Sequence, residues 1–207
     1  MEKIDGFINT FKTAINSIWP MLTLLLVIYV LIRITYLLIN REKLYLYKEI
    51  YQLLAITYIL FLYYLLLGIE NDMSYGINII PFKEITRYKI GSNMFVYNVV
   101  GNILVFVPFG IFLNYMIKTK KVIYTFLISF IVSLTAELIQ YKIGRAFDVD
   151  DVLLNVFGSL LGYLLYRLFT LVTEHLPNVL KKNWFYNIIC IIIMTGFGLL
   201  MYYIWSV

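Results

Sequence analysis

Long apolar stretches, each close to the length of a bilayer crossing, alternate with short polar segments along this chain. About 20 apolar residues at helical rise cross the hydrocarbon core. Six stretches approach that length: residues 19–39, 50–69, 95–117, 122–143, 151–173 and 185–205. Ahead of them, Ile4, Ile8, Phe11, Ile15 and Ile18 recur at three- and four-residue spacing, with Lys3, Asn9, Lys12 and Asn16 between them. That pattern predicts an amphipathic helix over 1–17, lying in the membrane interface. The expected fold class is an all-α integral membrane protein: a bundle of about six transmembrane helices with an N-terminal amphipathic interfacial helix. Residues 1–207 form one membrane domain, with 185–205 as an additional C-terminal helix. Arg33 lies near the end of the first span, within snorkelling reach of the interface. Pro108 interrupts the third span and removes one backbone bond, so a kink is expected there. The longest loop, 70–94, contains Asn78-Ile79-Ile80-Pro81-Phe82 and is too apolar for a solvated linker. It reads as partly re-entrant.

Composition agrees with a membrane protein. Hydrophobic residues make up 62% of the 207 and charged residues only 14%, where soluble domains carry about 25% charged. The 19 Tyr and 3 Trp suit interfacial belts. A single cysteine, Cys190, excludes an internal disulfide. The one histidine, His175, falls in a short loop with no other ligand type beside it, a poor metal candidate. A net charge of +5 does not point to nucleic acid here, because Lys and Arg mostly flank spans and set topology. The N-terminus lacks the pattern of a cleaved signal peptide, so the first span is expected to stay.

Polar residues inside the apolar stretches carry the functional expectation. Asn98, Asn102, Glu137, Gln140, Arg145, Asp148, Asp150, Asp151 and Asn155 fall in one otherwise apolar region. Ionisable groups within membrane segments are costly, about 2.5–3.5 kcal/mol for a central charge on insertion scales, and persist where paired, hydrated or used. Counting at 1.5 Å per residue puts Asn102 ~10 Å into the third span, Glu137 ~9 Å before the end of the fourth and Asn155 ~6 Å into the fifth. The start of span three, the end of span four and the start of span five lie on one side, so these groups share a depth. Asn98 and Asn102 are i,i+4 neighbours, Glu137 and Gln140 are i,i+3 with Ser133 one turn earlier, and Asp151, Asn155 and Ser159 form a stripe. Gly158 and Gly162, a small-xxx-small pair, let their helix approach closely. Gly101 is expected to do the same beside Asn102. Lys and Arg are more frequent close to the span ends on the opposite side, which puts both termini outside and the polar set in the outer leaflet.

Several chemistries fit these residues. Glu137 with Asp148, Asp150 and Asp151 offers oxygen ligands for a hard divalent cation, although no EF-hand-type loop is present and no metal is assigned. Buried Glu137 suits general acid or base work. Arg145 suits bidentate binding of a lipid phosphate. No GxSxG, HExxH or Cys/His pair supports a serine or zinc hydrolase. A structural reading accounts for part of the set: asparagines tie helices together, an aspartate caps the fifth helix, and Arg145 pairs with Asp148 at the surface. Glu137 resists that reading, since a carboxylate at its depth needs a partner, a proton or a use.

The motifs carry a resemblance. Asn98-Val-Val-Gly101-Asn102-Ile-Leu-Val-Phe106-Val-Pro108-Phe-Gly110, Glu137-Leu-Ile-Gln140, and Gly144-Arg145-Ala-Phe147-Asp148-Val-Asp150-Asp151-Val-Leu-Leu-Asn155-Val-Phe-Gly158 with Gly162 are similar to the VanZ-like family. Asn78 to Phe82 resembles that family's Asn-x-Ile-Pro-Phe segment. The resemblance covers residues 50–170 and leaves the first and sixth spans outside it. It implies a multi-pass protein of the bacterial cell membrane, associated with lowered susceptibility to glycopeptides such as teicoplanin. The nine motif residues would form the family site. Glu137, Asp148, Asp150 and Asp151 would take the catalytic or cation-contacting roles. Asn98, Asn102, Gln140, Arg145 and Asn155 would bind the substrate, an envelope lipid or cell-wall precursor, with a glycopeptide affected only indirectly. The alternatives from the residues are a non-enzymatic scaffold, whose polar cluster locks helices, and a small transporter. The transporter ranks last because the far halves of these spans, Ile123 to Ile131 and Leu160 to Leu171, show few polar residues.

Overall fold

The computed structural model describes the backbone of residues 2–67 and 76–206, and the side chains of 16–66, 76–196, 198 and 199. Gly68, Glu70, Asp72 and the apolar face expected over 4–15 lie outside what is described. The helical elements are α1 (Glu2–Asn40), α2 (Leu46–Leu67), α3 (Lys83–Arg87), α4 (Asn93–Phe95), α5 (Gly101–Ile117), α6 (Val122–Lys142), α7 (Val149–His175) and α8 (Asn183–Ser206). A π-turn over Val96–Val100 joins α4 to α5. Two short strands, β1 (Ile77–Asn78) and β2 (Phe147–Asp148), complete the set.

Five helical stretches among the described residues are long and apolar enough to cross a membrane: Asn16–Asn40, Leu46–Leu66, Asn93–Ile117, Val122–Lys142 and Val149–His175. The protein is an all-α membrane protein. The described apolar part of α8, Asn183–Gly196, is shorter, although the helix itself runs 24 residues. The interfacial helix and the first span are not separate elements: α1 is one 39-residue helix that continues through Pro20. Similarly, α5 runs on through Pro108. His175 is the last residue of α7 rather than a loop residue, with its Nδ1 2.8 Å from the Leu171 carbonyl.

The chain divides into two compact units, Met1–Trp19 with Tyr58–Thr170, and Pro20–Thr57 with Leu171–Val207. In the second unit Arg33 does not snorkel alone. Its Nε and Nη2 donate to Glu49 Oε2 and Oε1 at 2.7 and 2.8 Å, and Tyr29 Oη adds a bond to Oε2 at 3.1 Å. The Tyr47 N–H, in the unsatisfied first turn of α2, donates to Asn187 Oδ1 at 3.2 Å.

In the first unit, α5 and α7 pack backbone to backbone. A Cβ on Gly158 would strike the Ile103 carbonyl, and one on Gly162 would strike the Val107 carbonyl and come 2.9 Å from Gly110 Cα. One on Gly110 would overlap the Ser159 carbonyl. Only glycine permits this approach. The third member of the contact is thus Gly110. Gly101 meets nothing nearer than Val96 O of its own helix, at 3.6 Å. Helix α6 joins them through a stripe of small polar residues at four-residue spacing, Thr125, Ser129 and Ser133, all fully buried. Thr125 Oγ1 donates to Asn114 Oδ1 at 2.9 Å, and Asn114 Nδ2 donates to the Gly110 carbonyl at 2.7 Å. The far halves of the spans therefore do hold buried polar groups, which bond to one another and to helix carbonyls. Apolar core is supplied by Val99, Phe106, Val152 and Leu154.

Candidate functional site

The loop before α4 folds back onto the start of α7, and this brings the polar set together. Strand β1 pairs in parallel with β2, Ile77 opposite Phe147 and Asn78 opposite Asp148. Across that pair Asn78 Nδ2 donates to Asp148 Oδ1 at 2.9 Å. The same oxygen accepts the Asp150 N–H at 2.9 Å. Asp148 thus occupies the capping position that sequence reading gave to Asp150 or Asp151, meeting an orphan donor of the first turn of α7. It bonds to Asn78 rather than to Arg145.

Asp150 points the other way. Its carboxylate, 1% exposed, accepts the backbone N–H of Phe82 at 2.5 Å, of Glu84 at 2.8 Å and of Ile85 at 3.2 Å. These are orphan donors at the start of α3, and a negative charge is favoured there. Phe82 adopts the left-handed region, φ 66°. For a non-glycine residue that conformation is strained; the hydrogen bond to Asp150 holds it.

The remaining members occupy separate places. Asn102 Nδ2 donates to Asp151 Oδ1 at 2.6 Å, joining α5 to α7. Glu137, 3% exposed, accepts the Asp148 N–H on Oε2 at 3.1 Å, joining α6 to β2. Between α7 and α6, Asn155 Nδ2 donates to Ser133 Oγ at 2.9 Å, while Asn155 Oδ1 is buried with no hydrogen-bond partner among the described residues. Gln140 and Arg145 make their hydrogen bonds elsewhere, although the Arg145 charge still acts on Glu137 and Asp151. Gln140 Nε2 and Arg145 Nη1 donate to the Leu66 carbonyl at 2.6 and 3.4 Å, closing the last turn of α2, where carbonyls lack helical partners.

A small cavity of about 60 Å³ opens beside α3, the π-turn and the start of α7. Its wall comprises Glu84, Ile85, Tyr88, Asn98, Val99, Asp148, Asp150, Asp151 and Leu154. Four carboxylates and one amide line it, and among the described residues no Lys or Arg does. The π-turn shapes the wall: it shifts the helix phase at Asn98, so that Asn98 and Asn102 are not simple α-helical neighbours. Such turns are frequent at functional sites. Burial, and after it the Glu84 carboxylate, raise the pKa of the Tyr88 phenol above its ordinary value. Among the described residues no group of three or more His, Cys, Asp or Glu is placed to hold a metal ion. The carboxylates are instead turned toward separate donors, Asn78, Asn102 and the α3 amides.

Sequence reading missed Glu84 and Tyr88 as wall residues, and Asn78 as a partner of Asp148. Asn78 stood within a quoted motif; Glu84 and Tyr88 lie on a short polar segment with no periodicity to single them out.

Comparisons with known proteins identify the family. The VanZ/LLP1 family model matches residues 49–172, which contain every residue of the cluster. The chain is 32% identical to protein VanZ of Enterococcus faecium over 122 residues, 58% of this chain and 70% of that one. No solved structure matches it. An all-helical membrane architecture, the clustered motif residues and a match spanning more than half of the sequence lead to one statement: the chain belongs to the VanZ/LLP1 family.

Proposed function

We propose that this protein acts at the bacterial cell envelope, holding the positively charged part of an envelope lipid or cell-wall precursor at the acidic cavity, and thereby lowers susceptibility to glycopeptides such as teicoplanin. The observation that supports this reading is the cavity wall. Glu84, Asp148, Asp150 and Asp151 surround it with no basic side chain among them. Such a wall focuses negative potential and favours an ammonium or other cationic donor. Asp151 and Asp148 are the contacts for that group, and Asn98 supplies an amide to orient it. Glu137 acts through the Asp148 backbone, and Arg145 acts at the end of α2. The outer leaflet is the expected location, from the distribution of Lys and Arg.

The test is a teicoplanin susceptibility assay in a sensitive host expressing the full chain. Asp151→Asn, which keeps an oxygen for Asn102, and Asn98→Leu are compared with the parent at equal membrane level. The reading expects the parent to lower susceptibility and both variants to lose that shift. A parent without effect, or variants with the full effect, overturns it.

A second reading is favoured by a specific observation: Asp148, Asp150 and Asp151 each bond to a donor within the protein. As a scaffold, the cluster only locks helices. It then expects Glu137→Gln to lower thermal stability in detergent, with any phenotype following protein amount alone.

A further inference from the structure

The segment between α2 and α4 does more than wall the cavity. Its inner side is fixed by Asp150 and by the β1–β2 pair. Its outer side is apolar and exposed: Ile79 is 71% exposed, Ile80 59%, Phe82 61% and Ile90 83%. Exposed apolar side chains on the spans face lipid. These four lie outside the spans, on a stretch that leads into Asn93–Ile117 and pairs with the strand just before Val149–His175. It therefore sits at the level where two spans leave the hydrocarbon core. Lys83 and Lys89 are exposed among them and form no ion pair among the described residues. Arg87, also exposed, pairs with Glu84 at 3.1 Å.

An apolar rim with unpaired lysines is the chemistry of a membrane-surface anchor: apolar tips enter the acyl boundary while ammonium groups meet lipid phosphates. An aqueous setting leaves these tips without cover, and continuity with the lipid-facing spans supplies it. We propose that residues 79–90 seat Ile79, Ile80 and Phe82 in the interfacial layer of the bilayer and hold anionic lipid headgroups through Lys83 and Lys89. The anchor is independent of what the cavity binds.

A nitroxide at Ile80→Cys, in the full chain with Cys190→Ala, reports the depth. The protein is reconstituted in vesicles of phosphatidylcholine with phosphatidylglycerol, and in phosphatidylcholine alone. The expected result in the anionic vesicles is high collision with oxygen and protection from a water-soluble nickel chelate, against a Lys43→Cys label as the aqueous reference. Protection should fall in phosphatidylcholine alone and in the Lys83→Gln/Lys89→Gln variant, whose thermal midpoint in detergent stays that of the parent. A label as open to the nickel chelate as the one at Lys43 overturns the anchor, as does protection from both reagents, which means protein contact. Equal protection in both vesicle types overturns the anionic-lipid assignment.

Discussion

The buried carboxylate of Asp150 accepts the backbone N–H of Phe82 at 2.5 Å across a sequence separation of 68 residues. With Glu84 and Ile85 as further donors, one side chain of α7 caps α3. The wall of the acidic cavity and the conformation of the preceding loop both depend on it.

Asp150→Asn tests this cap. The amide nitrogen cannot accept, so at least one donor of α3 is left buried and unmet. The loss of bonds to a charged acceptor is expected to cost about 1.5–3 kcal/mol. Thermal unfolding in detergent measures it. Hydrogen exchange should rise at Phe82, Glu84 and Ile85 while Val152 to Tyr163 stay protected.

The glycine contact separates two substitutions of identical chemistry. Gly162→Ala drives a methyl against the Val107 carbonyl and Gly110, an overpacking expected to cost about 1–3 kcal/mol. Gly101→Ala meets only ordinary contact, and it is expected to be neutral or to stabilise by up to about 1 kcal/mol through reduced chain entropy. A fall in melting temperature for the first and none for the second is the expected outcome.

Ser133 and Asn155 form a directional pair. Ser133→Ala leaves the whole Asn155 carboxamide without a partner, since its Oδ1 already lacks one among the described residues. That is expected to cost about 1–3 kcal/mol. Asn155→Leu removes the amide altogether and should cost less, because the Ser133 hydroxyl can turn to a carbonyl of its own helix. Chemical denaturation of the two variants in the same detergent decides the order.

In the other unit, Arg33 grips Glu49 with two nitrogens. Arg33→Ala leaves the Glu49 carboxylate with Tyr29 as its remaining donor, at an expected cost of about 1.5–3 kcal/mol. The double variant Arg33→Met/Glu49→Leu replaces both charges with apolar groups and should recover most of that loss. Arg33→Lys keeps the charge but not the fork, and should fall between them. Melting temperatures of the three variants provide the check.

Much of the cluster was legible in the sequence because helices have a fixed rise. Counting residues from span ends put Asn102, Glu137 and Asn155 at one depth, and bonds now link their helices: Asn102 to Asp151, Glu137 to the Asp148 N–H, Asn155 to Ser133. Other relationships left no mark. The partners of Asp150 are backbone amides, which every residue but proline has, so no pattern singles out Phe82, Glu84 and Ile85. Of the buried polar stripe of α6 only Ser133 was singled out: Ser129 bonds a carbonyl of its own helix, and serine or threonine is tolerated there without signalling a partner.

By itself, then, the sequence determined the membrane character, the approximate places of the long apolar helices and the family, all of which follow from apolar length, helical period and motifs local in the chain. The tertiary structure alone decided that β1 pairs with β2, since two-residue strands have no periodicity to read. It decided that Gly110 rather than Gly101 meets α7, because that depends on where two helices cross. It also gave Arg145 its hydrogen bond at the end of α2, since only the fold brings the Leu66 carbonyl within reach of that side chain.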